Sequence, residues 1–261
     1  MCKNLKIIPF LILFTYCFDR PLTIKVAPIF SDGMVLQRNT IVNIWGTALP
    51  NTDIQILSEW GQKVSTKSND TGTWKAKLLS PNEGGPFFLK INSNKESFII
   101  KDILIGEVWL ASGQSNMEWT VSRSNNPDQE IANAKHPLIR HIKPARNPQM
   151  MPQEAFKDAK WTVCSPETVA NYTAVGYFFA RHLQAELNVP IGLLNCSWGG
   201  TRIEPWTPRI GFKIVTETND IYEDVLVKDP TSQQYKAVAD AYLNAVNSWL
   251  DASKAEVTAQ K

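Results

Sequence analysis

Histidine and cysteine are scarce in this chain, which has three His and four Cys among its 261 residues. They are too sparse and too badly spaced for a metal cluster, so neither a metal nor an organic cofactor is expected. Cys164 and Cys196, the two outside the N-terminal region, either pair in an oxidising compartment or remain free thiols. An excess of one charge is also lacking, since 27 Lys and Arg stand against 25 Asp and Glu. This balance gives no basis for binding nucleic acid or an anionic membrane surface.

Long apolar runs are lacking as well. The run over residues 7–18, IIPFLILFTYCF, is shorter than the roughly 20 residues that a membrane-spanning helix needs. Lys3 and Lys6 precede it, and a basic start followed by a short apolar segment is typical of a secretory signal peptide. We therefore expect a signal peptide over residues 1–18, export to the periplasm or the extracellular space, and no membrane span after its removal. An uncleaved N-terminal anchor is the alternative.

Residues 22–102 consist of short segments rich in β-branched and aromatic residues, separated by turn-forming residues. Residues 40–46, TIVNIWG, and 73–79, TWKAKLL, are two of them, and both alternate in part between apolar and polar side chains. Such punctuation predicts an antiparallel β-sandwich domain. It contains no pattern of nucleophile and base, so we interpret it as a scaffold.

From residue 103 the pattern becomes that of an α/β domain. Residues 103–112, ILIGEVWLAS, are nearly continuously apolar, which predicts a strand buried on both faces. Residues 138–143 and 190–197 predict two further strands. The helix predicted between them covers residues 172–187, with a stripe of Val175, Phe178, Phe179, His182, Leu183 and Leu187 at helical spacing. This alternation of strands and helices predicts a parallel sheet.

The predicted α/β domain extends over residues 103–212, and a polar, helical segment follows over residues 213–261. Its apolar side chains form a single helical stripe, which includes Val238, Tyr242 and Trp249. We interpret this segment as a surface helix.

Ser115 stands in the stretch GEVWLASGQSNMEW, residues 106–119, directly after the predicted buried strand. Ligands of open α/β sheets bind at the carboxyl ends of the strands. A Ser there could attack an acyl carbonyl, and its own amide could help to hold the developing oxyanion. The alternative is a helix N-cap, which spacing alone favours because capping is the commonest role of Ser at a helix start.

A second candidate element is NCSWGGT, residues 195–201, which ends another predicted strand at the same edge. Gly199 and Gly200 allow backbone N–H groups to approach a ligand closely, so either could donate to an oxyanion. A plain tight turn is an equally good interpretation of these residues.

Together these motifs resemble the sialate O-acetylesterase family, which are carbohydrate esterases of the SGNH-hydrolase type. The resemblance covers about residues 26–210 and rests on GQSNM followed by SWGGT. It implies a flavodoxin-like, three-layer α/β/α domain after the β-sandwich, and removal of O-acetyl groups from sialic acids or related glycans. It also implies the roles of five residues: Ser115 as nucleophile, Gly199 and Gly200 in the oxyanion hole, and Gln114 and Asn116 either at the substrate or bracing the turn.

The chain departs from that family at its catalytic base. The family carries a Gln-Gly-Glu segment on a later strand and an Asp-x-x-His motif near its C-terminus, and this sequence contains neither. Its three His, namely His136, His141 and His182, stand in other contexts, and a Ser hydroxyl without a base is a weak nucleophile. We therefore expect the N-terminal portion of an esterase, with an incomplete α/β/α domain and the C-terminal half as its missing partner. A non-catalytic glycan-binding protein and an acetylxylan esterase are the alternatives.

Overall fold

A computed structural model describes residues 24–93, 96–149, 151–157 and 159–259. The predicted signal peptide, residues 1–18, lies outside them. The described residues form eleven β-strands: β1 (Lys25–Val26), β2 (Val35–Gln37), β3 (Ile41–Thr47), β4 (Asp53–Ser58), β5 (Lys63–Lys67), β6 (Thr73–Leu79), β7 (Gly84–Ser93), β8 (Ser97–Gly113), β9 (His136–Ile142), β10 (Thr162–Cys164) and β11 (Ile191–Ser197). They also form six α-helices: α1 (Ser115–Glu118), α2 (Pro127–Asn133), α3 (Ala174–Leu187), α4 (Arg209–Ile214), α5 (Asn219–Lys228) and α6 (Gln233–Ala259).

The strands form two sheets. The smaller sheet is antiparallel, with the order β1-β3-β6. The larger sheet is mixed, with the order β10-β9-β11-β8-β7-β4-β5, and β2 pairs with β8 beside this path. Within it, β8, β9 and β11 are parallel, which confirms the α/β pattern predicted after residue 103. A flavodoxin-like sheet would place the first of these strands between the second and the third. Here the third, β11, lies in the middle, so the flavodoxin-like layout is not confirmed.

Strand β8 belongs to both parts of the larger sheet. Its first half pairs antiparallel with β7, and its second half pairs parallel with β11. The change of partner occurs between Ile105 and Glu107. Asp102 lies before it, in the antiparallel half, and its φ of 56° is in the left-handed region. The buried guanidinium of Arg140 donates to both carboxylate oxygens of Asp102, at 2.6 and 3.1 Å. The predicted boundary between residues 102 and 103 therefore falls inside one continuous strand.

One hydrophobic core lies between the two sheets. Strand β6, TWKAKLL, buries every second residue, and Trp74, Ala76 and Leu78 pack into this core. Side chains of the larger sheet, such as Ile56 and Ile103, belong to the same cluster. Because successive side chains of a strand point to opposite faces, the alternation of apolar and polar residues in the sequence places the apolar face of a strand in the core.

Helix α3 packs on the parallel strands and begins at Thr173, whose hydroxyl accepts a hydrogen bond from the amide of Gly176 at 3.3 Å. The helix is where the sequence predicted it, but only part of the predicted apolar stripe faces the core, where Phe178 and Leu183 pack against the buried cluster. Val175, Phe179 and Leu187 are 51%, 39% and 45% exposed. The helix instead buries mostly small side chains, because these allow close approach to the sheet: Ala174, Gly176, Tyr177 and Ala180.

The second half of β8 is less buried than predicted. Trp109 and Leu110 are 44% and 67% exposed, so burial of this strand on both faces was a wrong prediction. Trp109 meets Phe179 of α3 edge-on, with ring centroids 5.0 Å apart. Within the described residues, β8 beyond Val108 pairs with β11 alone, and this leaves its other edge open.

The predicted C-terminal helix is confirmed as α6, which contacts α5, while α5 contacts α4. None of its described residues is buried, and Tyr242 and Trp249 of the predicted stripe are 69% and 65% exposed. Among the described residues, no helix combines the length and the hydropathy that a membrane crossing would require.

Candidate active site

Ser115 lies at the carboxyl end of β8 and is the first residue of α1. Gln114 occupies the N-cap position, and no side chain makes a capping hydrogen bond there. The N-cap interpretation of Ser115 is therefore wrong. Its side chain is exposed, and within the described residues neither its hydroxyl nor its amide has a hydrogen-bond partner. A polar group at this edge is thus left available to a ligand.

The loop after β11 approaches Ser115 closely. Strands β8 and β11 are parallel and in register, with Ser197 opposite Gly113, so both loops leave the same edge of the sheet. The Trp198 amide donates to the Gly113 carbonyl at 3.0 Å. A Cβ on Gly199 would lie 3.3 Å from both Cα and Cβ of Ser115. Glycine at residue 199 therefore lets the loop come this near without displacing Ser115 or Glu118.

Two further hydrogen bonds join this loop to the GQSNME turn. The Gln114 side-chain amide donates to the carbonyl of Thr201, so Gln114 braces the turn. The Gly199 amide donates to Oε2 of Glu118 at 2.7 Å. That amide is already engaged, whereas the amide of Gly200, at a φ of 77°, has no partner within the described residues. The two glycines that the sequence analysis treated alike are thus in different situations.

Several hydrogen-bond donors remain unengaged around this turn in the part of the chain that the structure describes. They include the amide of Ser115, the amide of Gly200 and the side chain of Asn116, which is exposed. Backbone and side-chain N–H groups that surround a nucleophile are the kind of donors that stabilise an oxyanion.

Glu118 was missed by the sequence analysis and lies at the centre of this network. Its carboxylate is paired with Arg146 and, at 3.5 Å, with Lys143. Burial alone would raise the pKa of Glu118, but hydrogen bonds from Arg146 and the Gly199 amide, with the charges of both cations, lower it below its usual range. A carboxylate held ionised in this way is a poor base for the Ser hydroxyl. The Arg146 guanidinium also lies over the ring of Trp198, 5.2 Å from its centroid.

A signal for Glu118 exists in the sequence, because it stands three residues after Ser115 and hence nearly one helical turn away. Arg146 has no such signal. It lies on a loop 28 residues further along the chain, and only the tertiary fold brings it to Glu118.

The three histidines lie away from Ser115. His136 begins β9 and therefore lies at the opposite edge of the parallel strands. His141 is level with Trp109, two strands away and about 13 Å along β8 before its end. His182 lies eight residues into α3, about 12 Å along the helix from its start near the site. No histidine hydrogen-bonds Ser115 within the described residues.

No group of three or more His, Cys, Asp or Glu side chains within the described ranges is arranged to hold a metal ion. Cys164 and Cys196 are both free thiols, with Cys164 buried in β10 and Cys196 exposed on β11. Burial raises the pKa of Cys164 to about 12, so this thiol is unreactive at neutral pH.

Sequence comparison relates this site to known esterases. The profile of a family described as carbohydrate esterase, sialic acid-specific acetylesterase, matches residues 105–246, more than half of the chain. The human sialate O-acetylesterase is 32% identical over 201 residues, which cover 70% of this chain and 38% of that protein. The mouse sialate O-acetylesterase is 30% identical over 203 residues, covering 71% and 38%.

Structural comparison agrees. A crystal structure of a carbohydrate acetylesterase from Xanthomonas citri matches with a TM-score of 0.70 and 33% identity, over 75% of this chain and 45% of that one. The mixed α/β architecture is therefore that of an esterase fold. The chain spans less than half the length of these relatives, 38% of the human and mouse proteins.

Proposed function

The chain belongs to the carbohydrate esterase family of sialic acid-specific acetylesterases, and on that premise we propose that Ser115 attacks the acetyl carbonyl of an O-acetylated sialic acid or related glycan. The observation that carries this proposal is the Ser115 hydroxyl itself, exposed at the carboxyl edge of β8 and not used as a cap. Because a helix-start Ser is usually a cap, an unused hydroxyl at this place favours chemistry.

In the proposed reaction, the acetyl carbonyl oxygen becomes an oxyanion that accepts hydrogen bonds from the Ser115 and Gly200 amides, with Asn116 as a third donor. The Gly199 amide, which the sequence analysis assigned to the oxyanion hole, already donates to Glu118. Gly200 therefore takes this role in the proposal, and Gly199 serves by its lack of a side chain. The sugar hydroxyl leaves with a proton, and water then releases acetate from Ser115.

We propose that the base which accepts the Ser115 proton lies outside these 261 residues, in a missing C-terminal half of the enzyme. The positions of His136, His141 and His182 support this, since none reaches the carboxyl edge of β8. The open edge of β8 and the exposed Leu110 support it too, because an enclosed sheet would cover both.

The finer architecture belongs to the same proposal. We assign residues 22–102 to a β-sandwich, residues 103–212 to the first part of an SGNH-type α/β/α domain, and residues 213–261 to a helical insertion. The core shared by the two sheets supports the sandwich, and the position of α3 on the parallel strands supports the layered domain. Export remains part of the proposal, supported by the basic and apolar composition of residues 1–18.

The charges beside Ser115 favour an acidic sugar over acetylated xylan. Arg146 and Lys143 bring two positive charges to the single carboxylate of Glu118, which leaves a net positive charge next to the site. The carboxylate of a sialic acid would be attracted by that charge, whereas neutral xylan would not.

Acetate release from an O-acetylated sialic acid and from an acetylated xylo-oligosaccharide tests this function. We expect slow release, faster on the sialic acid, that is lost in Ser115→Ala and retained in Ser122→Ala, the change of an exposed Ser on the next turn. Equal release by wild type and Ser115→Ala would refute the nucleophile. Glycan binding with no Ser115-dependent release, even with a base added, would favour the non-catalytic alternative.

A further inference from the structure

Glu118 connects the two motifs of the site, and both of its oxygens are occupied. Oε2 accepts the Gly199 amide at 2.7 Å, while Oε1 accepts from Arg146 and lies 3.5 Å from Lys143. The side chain is 19% exposed. A carboxylate bound on both sides in this way has little freedom to turn, so it holds the Gly199 amide in one direction.

The peptide groups around Gly200 are held on both sides. Before it, the Trp198 amide is bonded to Gly113 and the Gly199 amide to Glu118. After it, the Thr201 carbonyl accepts from Gln114. Within the described residues, the N–H of Gly200 itself is left without a partner in this fastened loop.

We propose that Glu118 is a positioning residue, which holds the turn at Gly199 and Gly200 against Ser115 and so sets the direction of the Gly200 N–H. This inference rests on the proposed function, in which that N–H donates a hydrogen bond to the oxyanion. Glu118 acts through the loop and touches no reacting atom. Its negative charge makes the bond to the Gly199 amide stronger than one to a neutral acceptor.

The hydrogen bonds that hold the loop are not equivalent under this proposal. The bond from Trp198 to Gly113 continues the pairing of β11 with β8, and it would persist without Glu118. Removal of the carboxylate frees the Gly199 amide, so the Trp198–Gly199 peptide keeps only the hydrogen bond that its carbonyl accepts from the Thr201 hydroxyl at 2.8 Å. The backbone at Gly199, which sets the direction of the Gly200 N–H, therefore gains freedom. Arg146, which stacks on Trp198, would also lose its ion pair with Glu118.

The test uses the 261-residue chain with Glu118→Ala, Glu118→Gln and Glu130→Ala. Glu118→Gln keeps a hydrogen-bond acceptor without the charge. Glu130 is the matched control. It lies on α2, outside this loop, and pairs with Arg181 of α3 at 2.5 Å. Two readouts are taken: the amide resonances of Gly199 and Gly200 by nuclear magnetic resonance, and acetate release from an O-acetylated sialic acid with imidazole added as a base.

We expect Glu118→Ala to shift both glycine resonances and to lower kcat about 10²-fold, the effect of losing one oxyanion donor, with KM changed less than about threefold. Glu118→Gln should restore most of kcat, and Glu130→Ala should change neither readout. The proposal is overturned if Glu118→Ala leaves the Gly200 resonance and kcat as in wild type. It is equally overturned if Glu118→Ala and Glu118→Gln lower kcat and thermal stability to the same extent, since that pattern indicates general unfolding.

Failure of the proposed function would look different. If wild type releases no more acetate than Ser115→Ala, the esterase proposal fails, and the resonances of Gly199 and Gly200 still decide whether Glu118 orders the loop. If acetate release depends on Ser115 but the Gly200 resonance is the same in wild type and Glu118→Ala, only the positioning role of Glu118 is wrong.

Discussion

His141 illustrates how its surroundings remove a histidine from chemistry. Its ring is 5% exposed and stacks on Tyr172, with centroids 4.2 Å apart and planes 20° apart. Within the described residues, its Nε2 has no hydrogen-bond partner. Burial lowers the pKa of His141 to about 3, with a smaller contribution from the charge of Lys143. The neutral ring therefore belongs to the core and is unsuited to serve as a base.

His141 should make the stability of the fold sensitive to mild acid. Its pKa is lowered from about 6.5 in the unfolded chain, so the unfolded state binds a proton first as the pH falls. The free energy of unfolding should therefore decrease from about pH 6.5 toward pH 3, by up to ~1.4 kcal/mol per pH unit. Urea unfolding at several pH values measures this, and His141→Phe should flatten the dependence. His182→Gln, on the exposed face of α3, is the control, and equal slopes in wild type and His141→Phe would contradict the prediction.

Ser115 and the two glycines could be found from the sequence because each belongs to a short local motif at a strand end. The hydrogen bonds around these residues could not be predicted from the sequence. Gly199 and Gly200 differ because the Gly199 N–H donates to Glu118, whereas the Gly200 N–H has no partner within the described residues, and only the tertiary fold decides this. The three remote His could be excluded from sequence context, but the register of the strands is what places them away from Ser115.

At the scale of elements, the left-handed backbone of β8 at Asp102 is accompanied by an ion pair with Arg140. Asp102→Asn tolerates the left-handed backbone, yet leaves the buried Arg140 guanidinium facing a neutral amide. Because Asp102 is itself 46% exposed, we expect a loss of about 1–3 kcal/mol in the free energy of unfolding. Asp224→Asn breaks the exposed pair with Lys228 and should cost less than about 0.5 kcal/mol. Equal costs in urea unfolding would show that Arg140 does not depend on Asp102.

Helices and strands could be predicted from the sequence where their pattern is local. Which of their side chains are buried could not be predicted where burial depends on a neighbouring element. Strand β6 alternates strictly in the sequence and buries every second side chain as predicted. The helical period of α3 is also clear, but its apolar residues cover more than one face, and Val175 lies on the side away from the sheet. Strand β8 reads as a fully buried strand, yet Leu110 meets no covering element within the described residues.

At the scale of the molecule, the open edge of β8 should make the chain self-associate. Leu110 is 67% exposed on a strand segment paired on one side only, and such edges readily pair with other chains. Leu110→Lys should therefore lower the concentration-dependent association seen by sedimentation velocity. Leu49→Lys, which changes a 57% exposed Leu in a loop, should leave it unaltered. Association that is unchanged by Leu110→Lys would place the contact elsewhere.

The molecule as a whole has the fold of an esterase, and in our proposal it carries one half of an active site. The proposed nucleophile and its proposed oxyanion donors lie on the loops after β8 and β11, which are next to each other in the sheet. In the family resemblance, the base comes from later in the chain. A site divided in this way should respond to a base supplied from solution.

Acetate release from an O-acetylated sialic acid, measured as imidazole is added, tests this account most directly. We predict that wild type is slow without imidazole, at most about 10³–10⁴-fold faster than water, and that its rate rises with imidazole above that of Ser115→Ala. Turnover at an ordinary enzyme rate of about 1–10³ per second without imidazole, abolished in Ser115→Ala, would show that the base is within these residues. Equal rates for wild type and Ser115→Ala at every imidazole concentration would contradict the assignment of Ser115 as nucleophile.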